Sequence, residues 1–331
     1  MKRILSLVLL LALLCTLFAC GKKNPDNGTT ETPDNGTTET PDNGNGTTTG
    51  SYKLGIGMVV ENTANTNSTT ESTVAAVITD ANGKIVACRI DAIQMKNLFK
   101  DGAVDTSKTF STKVELGDAY NMVAYGGATA EWYVQAKTFE TFVTGKTLAE
   151  VAAIVTDGEG KTEQVAGCTI IVTSFIEAIT LACNDTYAVS FEAASVPTLG
   201  VSIAGAIADK SNAETELVKV EATMDASAVA MVDGKVVAAT LDCAAPSFTY
   251  VEDANTVSFS GTKRQLGDAY NMVTYGGAIA EWYAQAQTFA NTTVGKTAAE
   301  VAEITIEGVA GCTIYAGSFK TALVKAANAA R

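Results

Sequence analysis

LGDAYNMVAYGGATAEWYVQAKTF, residues 116–139, returns as LGDAYNMVTYGGAIAEWYAQAQTF at residues 266–289. Aligning residues 112–152 with residues 262–302 gives 29 identities in 41 positions, far more than two unrelated segments of one chain share. The repeat length of about 150 residues is that of a whole domain, not of a solenoid unit. The chain therefore reads as two tandem homologous domains, residues 51–190 and 191–331, each expected to bury a core and fold by itself. What both copies retain is a candidate for what the unit needs.

Within the repeated block, Trp132, Ala136, Phe139 and Val143 recur at spacings of four and three, extending back to Ala128. That is the apolar stripe of one helix, with Gly145 placed to end it. In the second copy the stripe runs through Ala278, Trp282, Ala286 and Phe289, with Gly295 as the stop. Gly126-Gly127 and Gly276-Gly277 then read as turns opening these helices. Free amides at such a positive end suit an anion such as phosphate. Tyr120, Tyr125, Trp132 and Tyr133 offer flat surfaces beside it. The alternative is that the aromatics are core and the glycines serve only the turn.

Gly145-Lys-Thr and Gly295-Lys-Thr do not make a phosphate loop, because Glu140 and Ala290 stand where that motif needs a further glycine. Thr147 with Glu150, and Thr297 with Glu300, fit the capping box of a following helix.

Residues 1–19 read as a lipoprotein signal peptide. Lys2 and Arg3 are its charged start, an apolar run follows, and Leu17-Phe18-Ala19-Cys20 ends it. The Leu-x-Ala-Cys end resembles the lipobox of bacterial lipoproteins, which implies cleavage before Cys20 and a lipid on that residue. Residues 20–50 repeat PDNGTTET and hold no apolar residue to bury after Cys20, so a disordered tether is expected, with a reach of roughly 30 Å.

Leu54–Val60 reads as a strand. Thr73 onward, a turn at Asp80–Gly83, and Lys84 onward read as a β-hairpin. Ser227 onward, Asp233-Gly234, and Lys235 onward form its counterpart. The unit closes with VAGCTI, at 165–170 and 309–314, and a last helix that Ser174 or Ser318 is placed to cap. Strands followed by helices predict an α+β fold: an antiparallel sheet with packed helices in each repeat. Residues 185–197 join the two.

The chain has no histidine, which excludes Ser-His-Asp catalysis and histidine-ligated metal or haem. Beyond the signal and lipobox the cysteines are Cys88, Cys168, Cys183, Cys243 and Cys312, without a C-x-x-C spacing; Cys168 and Cys312 read as buried, inert thiols. The carboxylates kept in both copies are Asp118/Asp268, read as turn residues, and Glu131/Glu281, read as first-turn acids. A hydrolase is poorly supported, so any chemistry falls to an organic cofactor. The formal charge of −13 argues against a nucleic-acid partner.

Taken together, the lipobox, the Thr-rich tether, the paired hairpins and the GDAY–EWY–GKT block resemble extracellular FMN-binding-type lipoproteins of Gram-positive bacteria. The resemblance implies FMN, esterified through its phosphate to a Ser or Thr by a flavin transferase. It also implies electron relay from membrane quinone chemistry on the outer face of the membrane. The family's attachment pattern is close to [Ser/Thr]-Gly-Ala-[Thr/Ser]. Gly127-Ala128-Thr129 matches its last three positions and Gly126 departs from the first. The second copy reads Gly277-Ala278-Ile279, without a hydroxyl. Thr73 and Ser227, both at a hairpin entry, are the other candidate pair. Gly126, Gly127, Tyr125 and Trp132, with Gly276, Gly277 and Trp282, are the expected remainder of the cofactor sites. A binding, adhesion or structural surface lipoprotein is the alternative.

Overall fold

The computed structural model describes residues 49–331 apart from Asn67, residues 252–254 and Ile306. The expected signal peptide, the expected lipidated Cys20 and residues 21–48 of the expected tether lie outside the described residues. Residues 49–331 belong to one compact unit.

The first repeat runs β1 (Gly50–Thr63), β2 (Thr69–Asp80), β3 (Ile85–Lys96), a small hairpin β4 (Phe99–Lys100) and β5 (Ala103–Val104), then α1 (Lys113–Leu116), α2 (Met122–Gly126), α3 (Trp132–Val143), α4 (Leu148–Ala152) and α5 (Thr173–Cys183). Strand β6 (Val189–Ala193) follows in the segment expected to be a plain connection. It pairs with β1, completing an antiparallel sheet of order β3-β2-β1-β6. The second repeat runs β7 (Thr198–Asp209), β8 (Lys219–Val232), β9 (Lys235–Ala244), β10 (Ser247–Thr249), β11 (Thr256–Ser258), α6 (Lys263–Leu266), α7 (Trp282–Asn291), α8 (Ala298–Ala302) and α9 (Gly317–Ala329). Here β8 is central, flanked by β7 on one side and by β9 and β10 on the other. The fold is α+β, as the element order predicts. No helix among the described residues is long and apolar enough to cross a membrane.

The sheets are apolar on both faces, and this organises the molecule. On β2, Ala75 and Val77 join the core under the first repeat's helices, with Trp132, Phe139 and Phe175. Val74, Ala76 and Ile78 point the other way, into a core made with Leu199, Ile203, Ala226 and Ala228 of the second repeat. Val229, Leu241, Trp282 and Phe319 build the second repeat's own helix-side core. The order of layers is helices, sheet, sheet, helices. A strand buried on both faces reads as an almost continuous apolar run, which is what VAAVI and SAVAMV are. The expected separate cores exist, but a third core is shared. The two repeats are halves of one body.

Close approach of helix to sheet is fixed by two equivalent glycines. A Cβ on Gly55 would collide with the Ala182 carbonyl oxygen of α5, and one on Gly200 with that of Ala326 of α9. The capping boxes at Thr147/Glu150 and Thr297/Glu300 are present, and Asp233 and Gly234 both take positive φ in their two-residue turn.

Two local expectations fail. Gly126-Gly127 does not open the long helix. Gly126 ends α2, Gly127 takes the left-handed conformation just after it, and α3 begins only at Trp132. Nor do Ser174 and Ser318 cap the last helices. These start two residues earlier than such caps require, after Val172 and Ala316, with no side-chain cap.

Candidate functional site

The first repeat holds a cleft of about 620 Å³ between the end of its sheet and the starts of its helices. Val59, Glu61, Glu71 and Thr73 line it from β1 and β2, and Gln94 from β3. Lys113, Tyr120, Met122, Gly126, Gly127, Ala128 and Trp132 come from the repeated block, and Lys161, Thr169, Ile170, Ile171, Ser174 and Phe175 from the closing segment. Five stretches of the chain therefore converge on one space, and its size suits an organic ligand.

Lys113 is placed by local chemistry. Thr112 and Glu115 form a capping box around α1, and the Val114 amide donates to Asp91 Oδ1 at 3.1 Å. This holds the lysine against two rings, with Nζ 5.3 Å from the centroids of both Tyr120 and Trp132. Lys113 also donates to Glu71 Oε1 at 2.7 Å, Gln94 Nε2 donates to Glu71 Oε2 at 2.6 Å, and Tyr120 OH donates to Gln94 Oε1 at 3.4 Å. Trp132 is mostly core, packed edge-on to Phe175 at 5.6 Å. The closing segment is fixed by Gln135, buried in α3, whose Oε1 accepts from the Thr169 amide at 2.7 Å and its hydroxyl at 3.1 Å.

Burial sets the titration of the acids behind the site. The Asp91 carboxyl is pushed up to about 7 by desolvation, against the hydrogen bonds it accepts from Thr112, Val114 and Ala92. Its counterpart Asp242 is pushed up to about 6, again by desolvation, with Thr262 and Arg264 opposing. The thiols move the same way: burial raises Cys88 and Cys243 well above the ordinary range and Cys183 to about 11, so they stay protonated.

Of the residues singled out from sequence, Thr73, Tyr120, Gly126, Gly127 and Trp132 meet in this cleft. Tyr125 is 89 % exposed and does not line it, and neither does Thr129, which is also exposed. The Gly-Gly turn is not a vacant anion seat. Glu131 reaches back and accepts from the Met122 and Val123 amides at 2.9 and 3.0 Å, so the positive end of α2 already faces a carboxylate. Glu281 does the same for Met272 and Val273, beside Gly276 and Gly277. Trp282 is buried against Phe319. Ser227 is fully buried in the second sheet, under the helices, with no hydrogen bond on its hydroxyl.

Thr73 and Ser227 are not equivalent residues. Gly55 pairs with Val77 and its counterpart Gly200 with Val229. Counting back along the strands sets Thr73 against Asp225, and Ser227 against Ala75. Lys113, Lys161 and Thr169 are among the cleft residues that sequence reasoning passed over, and Ser174 was expected only as a helix cap. Lys113 and Thr169 carried a signal, because Thr-Lys and Gly-Cys-Thr recur unchanged as residues 262–263 and 311–313.

No protein-family model and no solved structure matches the chain. An alignment of 95 residues, 35% identical, relates it to chlorophenol reductase of Desulfitobacterium hafniense. The match covers 24% of this chain and 28% of that protein.

Proposed function

We propose that the protein is a lipid-anchored lipoprotein on the outer face of the membrane that carries FMN in the first-repeat cleft and relays electrons. The observation that carries this reading is the cleft itself: ligand-sized, walled by Tyr120 and Trp132, and offering ammonium groups and hydroxyls together. The local likeness to a protein named a reductase points to redox chemistry. The Leu-Phe-Ala-Cys20 sequence supports the anchor, and a flavin transferase and a quinone-linked donor are the partners this reading requires.

The residues present fit such a group. Thr73, Thr169 and Ser174 put three hydroxyls in the cleft, so a phosphate ester has a choice of acceptors. Lys161 supplies positive charge for a phosphate, while Lys113, paired with Glu71, stands over the Tyr120 and Trp132 rings. Tyr120 and Trp132 supply apolar surface. The flavin would supply the redox step; the protein's part is to bind it, orient it and exclude water. Purification of the chain after co-expression with a flavin transferase tests the reading. Flavin absorbance and an added FMN mass are expected, and a colourless protein of unmodified mass would end it.

A second reading, a carbohydrate- or peptide-binding surface lipoprotein without redox chemistry, draws on the exposed rings of Tyr125, Tyr275 and Tyr315 at 89, 85 and 84 %.

A further inference from the structure

We propose that the chain holds one anionic ligand, its anionic group seated at the start of α5 in the first repeat, and that the second repeat fills the equivalent seat with its own Asp225. This rests on the cleft being a ligand site, but not on the ligand being a flavin.

The two repeats diverge at the position where they should bind alike. Thr73 pairs with Ala92 on β3, and Asp225 pairs with Cys243 on β9, in matching registers. Both side chains face the helices. Thr73 is 7 % exposed, opens into the cleft, and its hydroxyl has no hydrogen-bond partner among the described residues. Ser174, in the first turn of α5, lines the same space. Helix α5 is 11 residues long and no side chain caps its start, so its free amides and positive end are not claimed by a carboxylate. In the second repeat Asp225 stands there instead. Burial raises the Asp225 carboxyl above its ordinary range, with Ser318, in the first turn of α9, Cys243 and Lys263 facing it and opposing that rise. The carboxyl group occupies the space of an anionic ligand in either protonation state, and repels one when ionised.

A second difference is independent of the first. Residues 147–170 correspond to 297–314, so the first repeat is longer here by six residues. The extra length includes the turn at Asp157, whose amide donates to the Lys161 carbonyl at 2.8 Å while Asp157 Oδ1 accepts from the Lys161 amide at 2.9 Å. That turn delivers the Lys161 ammonium to the cleft, where it also meets Glu159 at 2.8 Å in an exposed pair. The other charges facing the cleft are Glu61, Glu71 and Lys113, of which Glu71 and Lys113 neutralise each other. Lys161 is the cation least committed to a buried partner.

Titration of the full chain with FMN, and separately with the anionic dye anilinonaphthalene sulfonate, tests this. One ligand per chain is expected from either probe. Thr73→Asp, which copies the second repeat into the first, should weaken binding by about tenfold or more, while the uncharged Thr73→Asn should weaken it much less. Lys161→Ala should weaken it too, and Asp225→Thr should create a second site. Melting curves of Thr73→Asp and Thr73→Asn separate lost binding from lost fold. Two ligands per native chain, or equal binding by folded Thr73→Asp and Thr73→Asn, would overturn the proposal. Dye binding once per chain and lost in Thr73→Asp, with no response to FMN, would uphold the anion seat and remove the flavin. Binding of neither probe would overturn both.

Discussion

Arg264 and Asp185 form an ion pair at 2.9 Å across the two repeats, each side chain only 4 % exposed. Arg264 Nε lies 3.0 Å from both carboxylate oxygens, Nη2 donates to the Tyr187 carbonyl at 2.5 Å, and Nη1 to the Leu241 carbonyl at 3.3 Å. Asp185 also accepts from the Tyr187 amide at 2.9 Å and the Ile56 amide at 3.3 Å. The position equivalent to Arg264 in the first repeat is Val114, so this lock exists once.

Breaking the lock on one side strands the other charge. Asp185→Ala leaves a buried guanidinium unpaired, at a cost of about 3–5 kcal/mol. The urea midpoint of the whole unit should fall in a single transition, because the shared core couples the halves. Replacing both partners by apolar residues of similar size should recover most of the loss. A single mutant with an unchanged midpoint would show that the pair does not hold the repeats together.

The pH dependence follows from Asp91 and Asp242. Folded, they keep their protons up to about 7 and about 6. Unfolded, a carboxyl of this kind loses its proton near pH ~3.9. Between those limits the folded chain binds more protons, so stability falls as pH rises. Melting temperature should therefore decline from pH 5 to pH 8, and Asp91→Asn should flatten the decline. The acids held below their ordinary range, among them Asp80, Asp157, Glu150 and Glu300, act on the far side, weakening the fold only in stronger acid.

Much of this architecture was legible in the sequence where the cause is local. The Asp233-Gly234 turn, the Thr147/Glu150 box and the Trp132–Val143 stripe each depend on residues a few places apart. The shared core was not legible, because an apolar run such as VAAVI reads the same whether its second face meets helices or another sheet. The mispairing of Thr73 with Ser227 has a similar origin. The first hairpin turn is longer than the second, and a slip of two residues keeps every side chain on its proper face, so hydrophobic alternation cannot expose it. The cleft was legible only in part. Thr73 and Trp132 were visible, but their convergence with Lys161 and Ser174 is a property of the packed chain.

Gly55 and Gly200 give a test of that packing. Either glycine changed to alanine forces its helix off the sheet, costing about 1–3 kcal/mol as overpacking does. Because Gly57 also abuts α5, at the Ala178 carbonyl, Gly55→Ala should displace α5 as a whole and loosen the cleft. Denaturant melts measure the first effect, and ligand titration the second. Gly200→Ala should destabilise comparably yet leave affinity at the first-repeat cleft nearly unchanged. Equal loss of affinity in both variants would argue that the cleft responds to global stability alone.

The site of any covalent flavin is narrowed by where hydroxyls lie. A phosphate ester needs an acceptor that the cofactor can reach. Thr129 is exposed and outside the cleft, and Ser227 is sealed in the second repeat under its helices. Thr73, Thr169 and Ser174 line the cleft. Of these, Thr169 is engaged with Gln135 at 3.1 Å, and the Thr73 hydroxyl has no hydrogen-bond partner among the described residues. In a chain co-expressed with a flavin transferase, Thr129→Val and Ser227→Ala should keep the added FMN mass. One of Thr73→Val, Thr169→Val and Ser174→Ala should lose it, while the other two retain it with weaker non-covalent contacts. Intact mass under denaturing conditions measures the bond, and fluorescence of the native protein measures retention. Loss of the mass in Thr129→Val, with all three cleft variants loaded, would move the cofactor out of the cleft and onto the exposed turn.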